Sequence, residues 1–536
     1  MVTDSADPYD QLTPTLPHGH KGNNRGGFTL DSVLARNLPS QGAAAGKVAL
    51  IFRDREYTFE ELDTRSEWLA SGLLVHGFRR GDRICVFAQN RAEWFELLFA
   101  LAKIGGVIVP VNYLLKSREV KHIVEDSGAR WFLGEDILWS TVDGFRAEME
   151  REIGFFSLGH DQPDSVGYEA LCSKDHSPRP SAEVCPDDLL LLQYTSGTTG
   201  FPKGAMHTHT TVLWNAIHQI PDFNIAEDDV HLIIPAMCWA AGFHSFTLAV
   251  LWAGGTVVLN PSRNFDAEDF CRAVTRHRVT KTILVPSVLK RVLEYDDLEQ
   301  HDLSSLNLVL SGGEPVPVES IEEWHHRIPT CRLVQGYGMG EFPTLMLYLK
   351  PSDAVRKAGA AGKPCLVAQV RVIDASFTDT LVGEVGEIVV LSPACMAGYF
   401  GKPEATDQAF VDGWMRTGDL AYFDEEGYVH IAGRAKEMII SGGLNVYPAE
   451  VERVLLDVDG VIEAAVVGVP DPKWGEIIHA FAIVSPEHSV TVEALNARCR
   501  EELANFKVPR RWTIRDEPLP RTTSGKIQRH LLATHE

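Results

Sequence analysis

Tyr194-Thr195-Ser196-Gly197-Thr198-Thr199-Gly200-Phe201-Pro202-Lys203-Gly204 follows an apolar run at residues 189–192, so a strand delivers this segment as a loop. Gly197, Gly200 and Gly204 let backbone N–H groups turn toward an anion. Thr195, Ser196, Thr198 and Thr199 add hydroxyl donors, and Lys203 supplies a compact positive charge. A triphosphate needs that combination. Flexible surface turns also collect Gly, Ser and Thr, but they have no reason to concentrate hydroxyls and close them with Pro202-Lys203-Gly204. The segment is not a Walker A loop, which ends in Gly-Lys-Ser/Thr where this one has Phe201-Pro202-Lys203-Gly204.

Upstream of the loop, Thr58-Phe59-Glu60-Glu61 forms a capping box, and Leu62, Leu69 and Leu73 fall on one helical face behind it. A β-rich run at residues 83–88, an apolar helix at 94–104 and a strand at 107–111 follow. Further strands are expected at 282–285, 306–310 and 332–334. This alternation predicts α/β layers with largely parallel sheets. After Gly383 the texture changes. Residues 386–391 and 428–431, with the turn Asp424-Glu425-Glu426-Gly427, predict short antiparallel strands. Beyond Arg434, a helix at 449–456, strands at 464–469 and 480–484 and a helix at 492–504 make a small α+β unit. The expected fold is α/β, with a large N-terminal domain of layered sheets and helices, a β-rich subdomain and a small α+β C-terminal domain. The expected boundaries are 1–27 for a flexible extension, 28–434 for the N-terminal domain and 435–536 for the C-terminal domain.

Composition limits the partners. Lys and Arg number 50 against 73 Asp and Glu, a net charge of −23, which repels nucleic-acid phosphates and anionic lipid. The nine cysteines contain no C-x-x-C pair, a pattern that fits a reducing compartment and neither a disulfide framework nor a structural zinc site. Residues 1–27 carry Asp4, Asp7 and Asp10 and no apolar signal segment. The most apolar later stretch, 246–258, is broken by Gly254 and Gly255 and is shorter than the ~20 residues of a membrane span. A cytoplasmic protein without nucleic-acid partner or membrane span is expected, and a homodimer is compatible with everything in the sequence.

Further motifs follow the loop in order. They are Gln335-Gly336-Tyr337-Gly338-Met339-Gly340-Glu341, Trp414-Met415-Arg416-Thr417-Gly418-Asp419-Leu420, Gly433-Arg434-Ala435-Lys436-Glu437, Ser441-Gly442-Gly443-Leu444-Asn445 and Pro520-Arg521-Thr522-Thr523-Ser524-Gly525-Lys526. With the loop, they resemble the AMP-forming acyl-activating superfamily, in particular its acyl-CoA synthetase and acid–CoA ligase branch, from about Phe28 to the C-terminus. Agreement of independent motifs in order is far more specific than any one of them. The resemblance implies ATP and Mg²⁺ as cofactors, an acyl-AMP intermediate, CoA as co-substrate and a mobile C-terminal lid.

It also implies roles. The loop residues Thr195–Thr199 and Lys203 would hold the triphosphate. Glu341 matches the glutamate that holds Mg²⁺, a hard cation suited to carboxylate oxygen. Tyr337 matches the aromatic residue on adenine, and Asp419 and Arg434 match residues that reach the ribose. Gly312, Gly313 and Glu314 match the segment bordering the nucleotide and acyl pocket, with Gln335, Gly336, Gly338, Met339 and Gly340 beside it. Lys526 matches the lysine that bridges carboxylate and α-phosphate during adenylation. Lys436 falls at the hinge, and Gly442 and Gly443 would line the pantetheine path. Without the family match, solvated surface roles would serve for Glu341 and Lys526.

Some positions depart from the pattern. Gly340 stands where many members carry a threonine that contacts the α-phosphate, and Ile440 where some CoA ligases carry a lysine. Trp239 takes the place of a histidine in Pro235-Ala236-Met237-Cys238-Trp239-Ala240-Ala241-Gly242-Phe243, where it would wall the acyl pocket or simply join the core. His207 and His209 suggest a metal pair but lack a third ligand at a suitable spacing, and read better as polar residues opening a helix. The run from Ala236 to Phe243 carries no charge, which disfavours an amino acid, whose ammonium would be left unpaired. Trp239, Phe243 and Met339 favour an apolar acid: medium-chain fatty, aromatic or alicyclic. The acceptor is expected to be CoA, the alternative being the pantetheine thiol of a carrier protein. A non-catalytic binding relative is a further reading, for which Gly340 is the only hint.

Overall fold

The computed structural model describes residues 28–149, 151–176, 183–195, 202–261, 264–314, 316–441, 444–521 and 527–533. Packing divides the chain into two compact units. One comprises residues up to 369 with 391–415, the other residues 370–390 with 416 onward. The domain boundary expected at 434/435 lies within the second of these units.

The first unit holds two large sheets. In the seven-stranded one, Arg83–Phe87 lies between Trp131–Glu135 and Val107–Pro110, all parallel, and Leu189–Thr195 and Lys203–Thr208 close the far edge as an antiparallel pair. The nine-stranded sheet has a parallel centre, including Val230–Ile233, Lys281–Ile283, Leu308–Gly312 and Arg332–Met339, with antiparallel strands at both edges. Crossovers need helices. One is Glu93–Ile104, buried from Trp94 to Ile104, so it is apolar nearly all round rather than amphipathic. Its two buried charges are both paired: Glu96 accepts from Arg65 Nε at 2.6 Å and Tyr168 Oη at 2.9 Å, and Lys103 Nζ meets Asp31 at 2.8 Å and also Asp63. The capping box at Thr58 is present, starting helix Phe59–Val75. That helix packs so closely that a Cβ on Gly72 would lie 2.1 Å from the Leu171 carbonyl oxygen.

Two expectations are corrected here. The strand expected at 332–334 is longer, running to Met339 and pairing antiparallel with Phe342–Leu349, so the glycine motif forms a hairpin arm. Gly312 and Gly336 face each other across the sheet, where a Cβ on Gly312 would meet the Gly336 carbonyl oxygen at 2.2 Å. His207, expected to open a helix, sits on strand Lys203–Thr208, and the helix begins at His209.

In the nine-stranded sheet, Lys281 Nζ donates to Asp229 Oδ1 at 2.7 Å, with both residues nearly solvent-free. Lys281→Ala strands a buried carboxylate. It is expected to cost about 3–5 kcal/mol, read as a lowered urea midpoint, and an unchanged midpoint would contradict the pairing.

In the second unit, strands Gln369–Ile373, Gly386–Leu391, Trp414–Phe423 and Val429–Arg434 lie side by side. The C-terminal part has its own sheet, centred on Gly475–Val484 with Val461–Asp471 beside it at the edge, and helices Pro448–Leu456 and Val492–Glu502 cover a core that includes Val451, Leu455, Val466, Leu495 and Cys499.

Candidate active site

Strand Leu189–Thr195 leads into the glycine-rich loop and strand Lys203–Thr208 leads out, with Thr195 paired to Lys203 at the open end. Ser196, Gly197, Thr198 and Thr199 lie outside the described residues, as do Gly442, Gly443 and Lys526. The foot of the loop is fixed from below. Tyr194 Oη donates to Asp126 Oδ2 at 2.9 Å, and Lys402 Nζ lies 2.5 Å from Asp126 Oδ1. Burial and the neighbouring Asp126 carboxylate hold the Tyr194 phenol far above its usual range, so it stays a donor.

Glu341 follows Gly340 in the turn between the two hairpin arms and is only 7% exposed. Its Oε1 accepts from Thr195 Oγ1 and from Tyr399 Oη, each at 2.9 Å. Lys203 Nζ lies 5.0 Å from the centroid of the Tyr399 ring, within cation–π range. The structure therefore joins Thr195, Lys203 and Glu341, far apart in sequence, into one cluster at the mouth of the loop. Tyr399 is the residue the sequence reading missed. Its segment adds to the edge of strand Lys203–Thr208: Met206 N donates to Gly398 O at 2.9 Å and Phe400 N to Gly204 O at 2.9 Å. The available signal was Gly398-Tyr399 in a short loop ahead of Pro403, with Gly398 at φ +138°, a backbone few other residues tolerate.

The Gly340 departure has a steric counterpart. A Cβ there would lie 2.2 Å from Thr195 Cγ2, so a threonine at 340 would turn the Thr195 side chain away from Glu341. The Gly340 carbonyl is held by His207 Nε2 at 2.8 Å. Behind the turn, Gln193 Nε2 donates to Cys238 O at 3.2 Å. Trp239 is half-buried and precedes the short helix Ala240–His244, whereas Phe243 is 1% exposed and belongs to the core. Gly338 packs under Thr344, and Met339 and Tyr337 are half-buried on the same strand. Gly313 stands after the neighbouring strand at φ +91° with open space where a Cβ would be, and exposed Glu314 follows it. Gln335 is buried at the strand's base.

In the second unit, Asp419 and Arg434 face each other across paired strands, with Arg434 Nε 2.6 Å from Asp419 Oδ1. Thr417 Oγ1 accepts from Asp419 N at 3.1 Å and donates to Ile388 O at 2.9 Å, which fixes the turn at Gly418. Asp419 is 4% exposed, while Lys436 is exposed in the turn that follows the strand.

Glu341, held by the Thr195 and Tyr399 hydroxyls, thus stands with Lys203 at the two strand ends that flank residues 196–201. Glu341 fits a hard divalent cation, since its donor atoms are carboxylate oxygens fixed in orientation. Residues 40–400 match the AMP-binding enzyme family model and 450–526 that of the AMP-binding enzyme C-terminal domain. The chain belongs to the AMP-binding enzyme family. It is 38% identical to a feruloyl-CoA synthase of Amycolatopsis sp, over 88% of this chain and 92% of that protein. It is 35% identical to an indoleacetate–CoA ligase of Aromatoleum aromaticum, over 91% and 95%. Among solved structures, the anthranilate CoA ligase AuaEII in complex with anthranoyl-AMP superposes with a TM-score of 0.85 at 28% identity, covering 94% of this chain and 96% of that one.

Proposed function

We propose that this chain activates an uncharged, apolar carboxylic acid, with the residues above in the roles their positions suggest. The reaction class is AMP-forming acid–CoA ligation. The acid's carboxylate attacks the α-phosphorus of ATP, the new P–O bond gives acyl-AMP, and the α–β bridge breaks to release pyrophosphate. The CoA sulfur then attacks the acyl carbon, a thioester forms, AMP leaves, and the thiol proton goes to solvent.

The glycine-rich loop with Lys203 binds the β- and γ-phosphates, and Thr195 keeps Glu341 oriented. Glu341 would hold Mg²⁺, which when bound neutralises phosphate charge. Asp419 takes the ribose hydroxyls as an ionised acceptor, and Arg434 keeps it in place. Tyr337 packs on adenine, and Lys526 contributes charge to adenylation. Residues 435–536 act as a lid hinged near Lys436, bringing Gly442 and Gly443 to the pantetheine arm. Free cysteines throughout suit a cytoplasmic setting, and among the described residues no helix is long and apolar enough to cross a membrane. The observation that carries the reading is the Thr195–Glu341–Tyr399 cluster beside the loop.

The test is pyrophosphate release across fatty, aryl and alicyclic acids with Mg-ATP, with and without CoA. Acid-dependent release that turns over many times only with CoA is expected. Release stalling near one equivalent with CoA, but not with a pantetheinylated carrier, would transfer the acceptor role to the carrier.

A further inference from the structure

Four polar atoms are orphaned in one small region of the first unit. Gln193 Oε1, His207 Nδ1 and both ring nitrogens of His244 are buried without a hydrogen-bond partner. Their side chains are fixed by what they do bond. His207 Nε2 is spent on Gly340 O, Gln193 Nε2 on Cys238 O, and the two imidazoles face each other with centroids 6.1 Å apart. Gln193 and His207 lie on one face of paired strands, since Gln193 opposes Ala205 and His207 opposes Leu191. His207 and His244 are 0% exposed and Gln193 is 5% exposed. Burial holds the His207 ring down to about 4 and the His244 ring well below its ordinary value, so both are neutral near pH 7.

Buried polar atoms are nearly always satisfied in folded proteins, and four orphaned together mark a place where a bound polar group would complete the hydrogen bonding. The walls identify it. Gly340 O bonds His207 and a Cβ on Gly340 would lie 3.7 Å from Gln193 Cγ, Cys238 precedes Trp239, and Phe243 precedes His244. Ser245 Oγ donates to Thr344 Oγ1 at 2.7 Å, beneath Gly338. Trp239 and Gly338 are among the residues expected to border the acyl pocket, Phe243 lies in the core behind them, and the inference rests on that assignment of Trp239 and Gly338. No charged side chain is among them, so a neutral donor or acceptor fits and a carboxylate or ammonium does not.

We propose that Gln193, His207 and His244 form a neutral polar subsite in the acyl pocket, and that the preferred acid carries an uncharged hydrogen-bonding substituent, a hydroxyl, ether or carbonyl, which they bind. The substrate is then apolar in its body but not a plain hydrocarbon.

The experiment compares kcat/KM for pyrophosphate release between size-matched acids: 4-hydroxy- and 4-methoxy- against 4-methyl-substituted arylpropenoates, and ω-hydroxy- and oxo- against unsubstituted fatty acids. In at least one series the polar member is expected to win by about 10-fold or more. His244→Leu should collapse that ratio to within about 3-fold, while His244→Gln, which keeps a donor and an acceptor, should retain much of it. A structural role alone would lower both members together and leave the ratio unmoved. Gln193→Met gives the same reading should His244→Leu fail to fold. Equal or better use of the hydrocarbon member in every series would mean the cluster holds only water and would overturn the proposal, as would a ratio that survives both variants. Loss of acid-dependent release for every acid in the wild-type enzyme would instead overturn the ligase reading itself, and this inference with it.

Discussion

Glu341→Gln is expected to lower acid-dependent pyrophosphate release by about 10²–10³-fold while leaving the melting temperature close to wild type. The amide keeps the carboxylate's shape and offers an oxygen where Oε1 accepts from Thr195 and Tyr399, so the hydroxyl contacts survive. What goes is the negative charge, which a divalent cation needs far more than the two hydroxyls do. The loss should therefore shrink as Mg²⁺ is raised, because a weakened cation site is refilled by mass action. Wild-type rates at low Mg²⁺ would remove Glu341 from cation binding. A large drop in melting temperature would instead mark it as a structural anchor of the turn. Tyr399→Phe separates the two further. It removes one donor to the same oxygen and leaves the charge, and it should cost far less than Glu341→Gln.

Much of this site is legible in the chain itself, because its chemistry is carried by local runs. Thr195 through Lys203 announce an anion-binding loop by composition, and helix 93–104 announces its burial by being apolar all round. The small C-terminal unit shows its elements through ordinary periodicity, and helix Pro448–Leu456 lies within a residue of the expected start. What local pattern does not carry is pairing between distant strands. The run 332–339 contains Gly336 and Gly338, which weaken it as a strand in isolation. It becomes one because it pairs with Leu308–Gly312 and Phe342–Leu349, an arrangement in which a Cβ would meet Leu345 at 2.7 Å from Gly336 and Thr344 at 2.3 Å from Gly338. His207 looks like a helix-opening polar residue until strand Leu189–Thr195 pairs with it. Tyr399 is almost two hundred residues from Lys203, and only the bridge between Ala205 and Tyr399 sets its hydroxyl on Glu341. In each case the missing information was a long-range contact, not a propensity.

Lys526→Ala should separate the two half-reactions. Acyl-AMP formation is expected to fall by about 10³-fold, whereas transfer to CoA from supplied acyl-AMP should stay within about 3-fold of wild type. The asymmetry follows from charge. Adenylation brings a carboxylate to a triphosphate, and negative charge concentrates on the α-phosphate oxygens as the bond to pyrophosphate breaks. A protein of net charge −23 offers little background attraction for that encounter, so each local cation matters, and a lysine is a point charge that can stand between both anions. Thiolation starts from a mixed anhydride that carries a single phosphate charge, and the developing charge sits at the acyl carbonyl, away from where that lysine is needed. Lys526→Arg should recover part of the first step, since the charge returns on a bulkier group. Acetylation of Lys526 removes the charge as alanine does and should reproduce the same split. Equal loss of both steps in Lys526→Ala would show that the residue serves the fold or the lid rather than adenylation. Unchanged adenylation would pass the cationic role to Lys203, whose place beside Tyr399 and Glu341 makes it the next cation to substitute.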